Sequence, residues 1–386
     1  MSDRIRIFDT TLRDGEQTPG VHFHVQDKVD IARRLEAFGV DTIEAGFPAS
    51  SPGDFEAVVQ VARAVTRCEV AALARCTPGD IDAAIRAVSD AAHPVVHMVL
   101  GVSDIHLNHK FHITRAEALR RIEASVRQAK AACREVEFSL EDATRAERSF
   151  VRQCVGVAVE YGATRINIAD TVGCATPWEY GALIRDVVAY TEGSVIVSAH
   201  CHNDLGMATA NTVAAIANGA SQIEGTVNGI GERAGNAAIE EVAVAVHLKK
   251  LGKTNIRLEE ITALCAHVAR VSGVPVQPNR AIAGANAFVH SSGIHQDGVI
   301  KDASNYEYVS PATVGAMGHR FVLTARSGRH AIAHVAARLG FELTADETQM
   351  VFTAFKRVAD AADGEVDESR IRAIIVETLG VAPACS

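Results

Sequence analysis

Two histidines separated by one residue, His200 and His202 in the segment HCHND, are the clearest candidates for chemistry in this chain. They end the apolar run VIVSAHCH, which predicts a β-strand, and alternate residues of a strand project to the same face. The two imidazoles therefore share a face, while Cys201 points to the other. They supply part of a divalent-cation site, although an isolated pair of this kind is more typical of two buried, hydrogen-bonded histidines.

A carboxylate elsewhere in the chain favours the metal hypothesis. Asp14 lies in FDTTLRDGEQ, at the end of the first predicted strand. Two histidines and one carboxylate bind a divalent cation and leave coordination positions for water and substrate. We therefore predict a metal site formed by Asp14, His200 and His202.

The glycine-rich segment NGIGERAGN, residues 228–236, is a second candidate. Its glycines permit a tight turn and a close approach of a ligand to the backbone N–H groups at the start of a helix. The spacing is not G-x-G-x-x-G, so an ordinary strand-to-helix turn remains the alternative. Two charged residues inside the turn, Glu232 and Arg233, favour an additional role.

Eight short apolar runs, each followed by a segment of helical periodicity, must position these residues. The predicted strands are 5–11, 42–48, 69–75, 95–101, 136–142, 165–171, 195–202 and 222–229. Eight β-α units within about 250 residues are typical of a closed parallel (β/α)8 TIM barrel, an α/β fold. An open doubly wound sheet is the main alternative, because local patterns do not reveal closure. The barrel is favoured because polar residues fall at the carboxyl ends of strands, where barrel enzymes assemble their sites: Asp14, Arg75, Glu141, Asp142, Thr171, His200, His202 and Asn228.

Beyond residue 250 the pattern changes. A loop-dominated stretch rich in Gly, Ser, Asn and Pro precedes two segments of helical periodicity, HAIAHVAARLGF and MVFTAFKRVADAAD. We predict a catalytic barrel over residues 1–278, a linker or lid over 279–326, and a helical subdomain over 327–386.

Composition excludes several classes of protein. The chain has 386 residues, 48% of them hydrophobic, and a formal net charge of -9, which argues against nucleic acid or an anionic membrane as a partner. The amino terminus lacks the apolar segment of a signal peptide, and no stretch approaches the roughly 18 apolar residues of a membrane span. The eight cysteines are scattered and form no C-x-x-C pair. A reducing cytoplasm is the expected location.

Several motifs together resemble the acetyl-CoA-dependent alkylmalate synthases, the family of 2-isopropylmalate synthase and homocitrate synthase. They occur in the family's order: FDTTLRDGEQTPG, GFPASSPGDFE, FSLEDA, INIADTVG, HCHNDLGMATANT, NGIGERAGNAAIEE and SSGIHQDG. The resemblance implies a TIM barrel that uses a divalent cation (Mn, Mg, Zn or Co) to condense acetyl-CoA with a 2-oxo acid. The expected products are a 2-alkylmalate and free CoA. It also implies a homodimer in which the lid of one subunit covers the barrel of the other.

The resemblance further implies roles for single residues. Asn236 is expected to join the metal ligands or lie beside them, and Arg13 to lie beside the 2-oxo group. His295 matches the family's proposed base, acting with Glu232 and Tyr306. The residues expected to contact the oxo acid are Arg13, Glu141, Asn167, Ala169 and Thr171.

The signals for the oxo acid conflict. Ala169 stands where leucine-pathway members usually have proline and homocitrate synthases have alanine, and the loop VSDIHLNHKF also resembles homocitrate synthases. By contrast, SSPGDFE and LTARSGRHA resemble the leucine branch. A cluster around the fourth strand either receives an acidic tail or is solvated loop: His97, His106, His109, Lys110 and His112.

Several functions therefore remain open. The main prediction is a 2-isopropylmalate synthase-like reaction, with a homocitrate-like or specialised oxo acid as the alternative. Leucine feedback is not expected, because the chain ends without the family's leucine-sensing domain. A hydroxymethylglutaryl-CoA-type lyase would not need SSGIHQDG, and a catalytically silent regulatory protein would not need the full set of motif residues.

Overall fold

The computed structural model describes residues 4–381, which form two compact units that divide between Val276 and Gln277. The first unit is a closed barrel in which eight parallel strands are hydrogen-bonded in sequence order. The predicted TIM barrel is therefore confirmed. Its strands are β1 (Arg6–Asp9), β2 (Thr42–Gly46), β3 (Glu69–Arg75), β4 (Pro94–Gly101), β5 (Glu135–Glu141), β6 (Arg165–Asp170), β7 (Ile196–Cys201) and β8 (Gln222–Gly225).

One principal helix follows each strand and covers the outside of the barrel. These helices are α1 (Val25–Phe38), α2 (Pro52–Ala64), α3 (Pro78–Ala87), α4 (Arg115–Ala132), α5 (Arg148–Glu160), α6 (Pro177–Thr191), α7 (Ala208–Ala217) and α8 (Ile239–Lys249). A further helix, α9 (Ile261–Ser272), ends the first unit. The loop from β4 to α4 contains a short turn of π-helix, Leu107–Phe111.

Local signals in the sequence explain where several helices begin. The Ser51 hydroxyl accepts a hydrogen bond from the backbone N–H of Asp54 and caps α2, whose first residue is Pro52. Thr176 and Glu179 form a capping box at the start of α6. These two caps fix the points at which the loops after β2 and β6 give way to helix.

Five strands are shorter than the sequence predicts, and the difference is largest for β1 and β8. After β1 the chain turns at once, because the backbone N–H groups of Arg13 and Gly15 both donate to the carbonyl of Thr10. After β8 it enters a 3-10 turn, Val227–Gly229, in which Asn228 has φ of 62°. Residues predicted as the ends of strands are therefore in turns that bend over the barrel mouth.

The barrel interior contains charged residues in addition to apolar ones. At the amino ends of the strands, the buried guanidinium of Arg165 donates to both carboxylate oxygens of Glu69, at 2.8 and 2.7 Å. Burial of a charge is tolerated when it is paired in this way. This ion pair fills the end of the barrel opposite to the strand ends that carry the predicted site.

The second unit has its own small core. It contains a two-stranded parallel sheet, helix α10 and three further helices packed on one another: β9 (Val289–His290), β10 (Arg320–Phe321), α10 (Gly293–Lys301), α11 (Arg329–Arg338), α12 (Ala345–Asp360) and α13 (Glu368–Leu379). The core joins Leu323 to buried side chains of α11, α12 and α13, such as Ile332, Phe355 and Ile371. Within residues 4–381, no helix is long and apolar enough to cross a membrane.

His295 lies on helix α10, where the sequence predicts a loop. The helix is held by Gln296, which is fully buried and donates from Nε2 to the carbonyls of His290 and Val322, each at 2.9 Å. These contacts are made between segments distant in sequence, so the local abundance of Gly, Ser and Asn gave no sign of them.

Candidate active site

Three predicted metal ligands converge at the carboxyl end of the barrel. The Nε2 atoms of His200 and His202 lie 3.2 Å apart, and the Oδ2 atom of Asp14 lies 3.6 and 3.7 Å from them. All three side chains are buried. Two imidazole nitrogens and a carboxylate oxygen this close together, within 4.8 Å of one another, fit a divalent cation.

The elements that bring these ligands together are not all strands. His200 is on β7, but His202 lies just beyond it, in an antiparallel bridge to Asn236. Asp14 is five residues past the end of β1, in the turn that precedes Gly15–Gln17. The prediction that both histidines are on the strand is wrong by one residue, and the bridge keeps the second imidazole near the first.

Asn236 completes the cluster. Its Nδ2 donates to Asp14 Oδ1 at 3.0 Å and to the carbonyl of Ile230 at 3.1 Å. Its Oδ1 is buried and has no hydrogen-bond partner among the described residues, and the same holds for Nδ1 of His202. A buried amide oxygen without a donor is costly unless something else satisfies it, and a hard cation does so.

The charges of the cluster are arranged for a cation. Burial raises the pKa of Asp14, but the positive charge of Arg13 outweighs it, joined in acid by the protonated imidazoles and by the hydrogen bond from Asn236, and that pKa lies below its ordinary value. Burial lowers the pKa of His200, and it lowers the pKa of His202 to about 4. At neutral pH the carboxylate is therefore ionised and both imidazoles are neutral, as metal ligation requires.

Two carboxylates inside the barrel orient the cluster, and sequence reasoning missed both. The carboxylate of Glu224 is hydrogen-bonded to His200 Nδ1 at 2.9 Å, and this bond turns Nε2 of the ring toward the ligand cluster. Glu44 accepts from Arg13 Nε at 2.7 Å and lies 2.6 Å from His97 Nδ1. Each is a glutamate within an apolar strand, and that unusual placement is the signal by which the sequence could have revealed them.

Arg13 is held at two points. Its Nε donates to Glu44 and its Nη1 donates to Asp14 at 2.9 Å. The guanidinium is therefore immobile beside the ligand cluster, and its remaining N–H groups have fixed directions.

A cavity of about 600 Å³ opens above the cluster. Of the residues predicted from the sequence, it is lined by Arg13, Asp14, Glu141, Asn167, Ala169, Thr171, His200, His202 and Glu232. His295 and Tyr306 belong to the second unit, where their ring centroids lie 4.2 Å apart.

The wall of the cavity is mixed in polarity. Leu73, Val99 and Leu100 provide an apolar part, while His97 and Ser139 bring polar groups next to Asn167. Ser139 Oγ lies 2.6 Å from His97 Nε2 and accepts from Asn167 Nδ2 at 2.7 Å, so these polar atoms satisfy one another.

The predicted histidine and lysine cluster around β4 divides in the structure. His97 and Lys110 line the cavity, whereas His109 and His112 are exposed. Lys110 Nζ donates to both carboxylate oxygens of Glu141, at 2.7 and 2.9 Å. Burial raises the pKa of Glu141, but His106, whose Nδ1 lies 3.6 Å away, and the bound ammonium of Lys110 outweigh that effect and lower it, so the carboxylate is ionised beside the cavity.

The glycine-rich turn has a structural part and an exposed part. Arg233, in a left-handed conformation with φ of 54°, donates to both oxygens of Asp204, at 2.7 and 2.9 Å, and to the carbonyl of Thr171. It thereby ties together three loops at the barrel mouth. Glu232, its neighbour, is exposed and lines the cavity.

Comparison with known proteins adds a second line of observation. The HMGL-like family model matches residues 4–268, and a homocitrate synthase post-HMGL domain-like model matches residues 282–363. The chain is 48% identical over 378 residues to 2-isopropylmalate synthase of Listeria monocytogenes serotype 4a, covering 97% of this chain and 74% of that protein. It is 49% identical over 388 residues to 2-isopropylmalate synthase of Pelotomaculum thermopropionicum, covering 99% of this chain and 77% of that one.

Solved structures with the same barrel are more distant. The HMG-CoA lyase of Bacillus subtilis aligns with a TM-score of 0.62 at 21% identity, covering 72% of this chain and 97% of the lyase. The hydroxymethylglutaryl-CoA lyase of Pseudomonas aeruginosa aligns with a TM-score of 0.63 at 20% identity, covering 72% and 95%. At this identity the likeness concerns the fold alone.

Proposed function

The chain belongs to the 2-isopropylmalate synthase family, an acetyl-CoA-dependent group of acyltransferases, and on that premise we propose how its site condenses acetyl-CoA with a 2-oxo acid. The methyl carbon of the thioester forms a bond to the 2-oxo carbon, and water then cleaves the thioester to give a 2-alkylmalate and free CoA. The observation that carries the proposal is the cluster of Asp14, His200 and His202 at the floor of a cavity, with the fixed guanidinium of Arg13 beside it.

We assign the metal to Asp14, His200 and His202, with Asn236 as a further ligand or close neighbour. The chemistry that a divalent cation supplies when bound there is polarisation of the 2-oxo carbonyl. Arg13 donates hydrogen bonds to the oxygen that gains charge as the new bond forms, and its two anchors to carboxylates keep it aimed there.

The reaction also needs a base that removes a proton from the thioester methyl group. We propose that His295 is this base, assisted by Tyr306 and by Glu232. The His295 and Tyr306 rings are in contact, with their planes inclined by 34°, and this supports a joint role because each ring limits the motion of the other.

We further propose that residues 279–326 form a lid that acts on a second copy of the chain. In the sequence, this lid connects the barrel of residues 1–278 to the helical subdomain of residues 327–386. The exposed side chains of Ile294 and Tyr306, which lie beside His295, support this proposal because a partner subunit would cover them. Mixing an inactive His295→Ala chain with an inactive Asp14→Asn chain then restores partial activity, since one hybrid site has both halves intact. Absence of recovery after verified subunit exchange contradicts the lid in trans.

We propose 2-oxoisovalerate as the leading oxo acid, because its condensation with acetyl-CoA gives 2-isopropylmalate, the product in the name of the relatives. The apolar side chains of Leu73, Val99 and Leu100 suit its isopropyl group. An oxo acid with a polar or anionic tail is the second candidate, and His97 with Ser139 on the same wall favours it. The cytoplasm, where acetyl-CoA is available, is the proposed location.

Release of free CoA tests the reaction. Acetyl-CoA is supplied with 2-oxoisovalerate, 2-oxoglutarate, pyruvate, oxaloacetate or a phosphono analogue, with added Mn²⁺ or Mg²⁺. Metal-dependent CoA release with at least one oxo acid is expected, and its absence from every mixture contradicts the proposal. Cleavage of hydroxymethylglutaryl-CoA, measured in parallel, is the result expected of a lyase instead.

A further inference from the structure

One side of the cavity is lined with positive charge. Arg75 at the end of β3, Lys110 in the loop after β4, and Arg121 on α4 all contribute to its lining. We call these three residues the basic rim. Their side chains are 64, 48 and 39% exposed, whereas the metal-ligand cluster is buried, so the rim is at the outer end of the cavity. A chain with a net charge of -9 has no general excess of cations to account for it.

Two cations of the rim, Arg75 and Arg121, are held in place by a carboxylate and still have N–H groups available for a ligand. Arg75 donates from Nε and Nη2 to Asp80, at 2.6 and 3.2 Å, and that carboxylate is only 9% exposed. Arg121 donates from Nε alone, to Glu117 at 3.2 Å, among the residues the structure describes. A guanidinium has five N–H donors, so each arginine keeps several for a ligand.

We propose that the basic rim binds the phosphate groups of coenzyme A. This rests on the proposed function, which requires the acetyl end of acetyl-CoA to reach the metal-ligand cluster at the floor of the cavity. The flexible pantetheine arm then extends outward, and the phosphates at its far end lie outside the cavity mouth. Guanidinium groups pair with phosphate through two parallel hydrogen bonds, and the rim supplies two of them together with a lysine.

The anionic tail of an oxo acid is the competing ligand for these cations. Of the three rim residues, Lys110 is the best placed to bind such a tail, because its ammonium is bound to Glu141, a residue predicted to contact the oxo acid. Arg121 is the better probe of the coenzyme, since its pairing with Glu117 involves no residue of the metal-ligand cluster. A variant of Arg121 therefore separates the two ligands.

Helix α4 offers a matched control. Arg127 is six residues beyond Arg121 and pairs with Glu123 four residues earlier, at 3.1 Å, as Arg121 pairs with Glu117. It is exposed and is not part of the cavity lining. Arg121→Gln and Arg127→Gln thus remove the same charge from the same helix, and only the first alters the rim.

Calorimetric titration of the purified full-length chain with CoA, 3′-dephospho-CoA and pantetheine measures the site without turnover. We expect Arg121→Gln to weaken CoA binding about tenfold and to leave pantetheine binding unchanged. Arg127→Gln is expected to bind all three ligands as the unaltered chain does. A loss seen with CoA alone assigns Arg121 to the 3′-phosphate, and a loss shared with 3′-dephospho-CoA assigns it to the diphosphate.

Three results overturn the proposal. The first is equal CoA affinity in Arg121→Gln and Arg127→Gln, and the second is an equal loss with all three ligands. The third is unchanged CoA affinity with weaker binding of an anionic oxo acid such as 2-oxoglutarate, which assigns the rim to the oxo acid. Because binding is measured without the reaction, a chain that binds CoA through the rim but releases none from acetyl-CoA contradicts the proposed function and not the site.

Discussion

Gly231 is the position at which a single methyl group tests the geometry of the ligand cluster. Its φ is +152°, and a Cβ built there would lie 2.1 Å from Nδ2 of Asn236 and 3.2 Å from Oδ1 of Asp14. That amide is held by hydrogen bonds of 3.0 Å to Asp14 and 3.1 Å to the carbonyl of Ile230. Gly231→Ala therefore forces the amide away from the carboxylate that it orients.

The size of the effect follows from these distances. Carbon and nitrogen atoms in contact are about 3.5 Å apart, so the amide must move by more than about 1 Å, which breaks a hydrogen bond of ordinary length. Loss of a group that orients a metal ligand typically costs about 10- to 100-fold in metal affinity. A side chain in this sparsely populated backbone region also costs about 1–3 kcal/mol in the free energy of unfolding.

Gly193→Ala separates the two contributions. Gly193 also has a positive φ, of +75°, but a Cβ there would have nothing within 4 Å. This control is expected to lose stability and to keep its metal affinity. Titration calorimetry with Mn²⁺ and urea denaturation of both variants provide the measurements. A folded Gly231→Ala protein that binds Mn²⁺ as tightly as the unaltered chain refutes the reasoning.

Three further predictions concern the cluster and the cavity wall. His202→Ala removes a ligand, so metal affinity and CoA release are expected to collapse while circular dichroism stays unchanged; near-normal activity at limiting metal contradicts the assignment. Burial lowers the pKa of His97, but the negative charge of Glu44 outweighs burial and raises that pKa from 6.5 to about 9. The charged imidazole therefore stabilises the fold below pH 6.5, and this stabilisation is lost as the pH rises through 9. The deficit in unfolding free energy of His97→Gln is thus expected to shrink by about 3 kcal/mol over that range, and a constant deficit contradicts the charged state. Ala169→Pro narrows the cavity beside Asn167, so the substrate preference is expected to shift toward small branched oxo acids by roughly 1–3 kcal/mol in kcat/KM ratios. An unchanged ranking, with 2-oxoisovalerate favoured by orders of magnitude in both proteins, refutes the argument.

Most of the barrel could be predicted from local patterns. Each β-α unit has its own apolar run and its own helical periodicity, and some have a capping residue as well, as Ser51 and Thr176 illustrate. The motif residues at the strand ends followed from the same pattern. The ends of β1 and β8 were predicted too long, because turns closed by hydrogen bonds to Thr10 and by the left-handed Asn228 end the strands earlier than the apolar pattern does.

The interior carboxylates could not be predicted in the same way. Glu44 and His97 are 53 residues apart in sequence and 2.6 Å apart in the structure, and Glu224 meets His200 only because β8 pairs with β7 in one register. The helical setting of His295 was missed for a similar reason, since Gln296 fastens its helix to the carbonyls of two separate strands or strand ends.

The sequence by itself determined the order of strands and helices, the reaction family and the residue types available for chemistry. These depend on neighbouring residues along the chain and on short contiguous motifs. Closure of the sheet decided the rest. Once eight strands pair in a ring, their carboxyl ends face one space, and Asp14 comes within 3.7 Å of two histidines nearly two hundred positions away. Which polar groups are buried together, which pKa values shift, and where the cavity presents its basic rim all follow from that closure, because electrostatic and hydrogen-bond energies depend on distance in space.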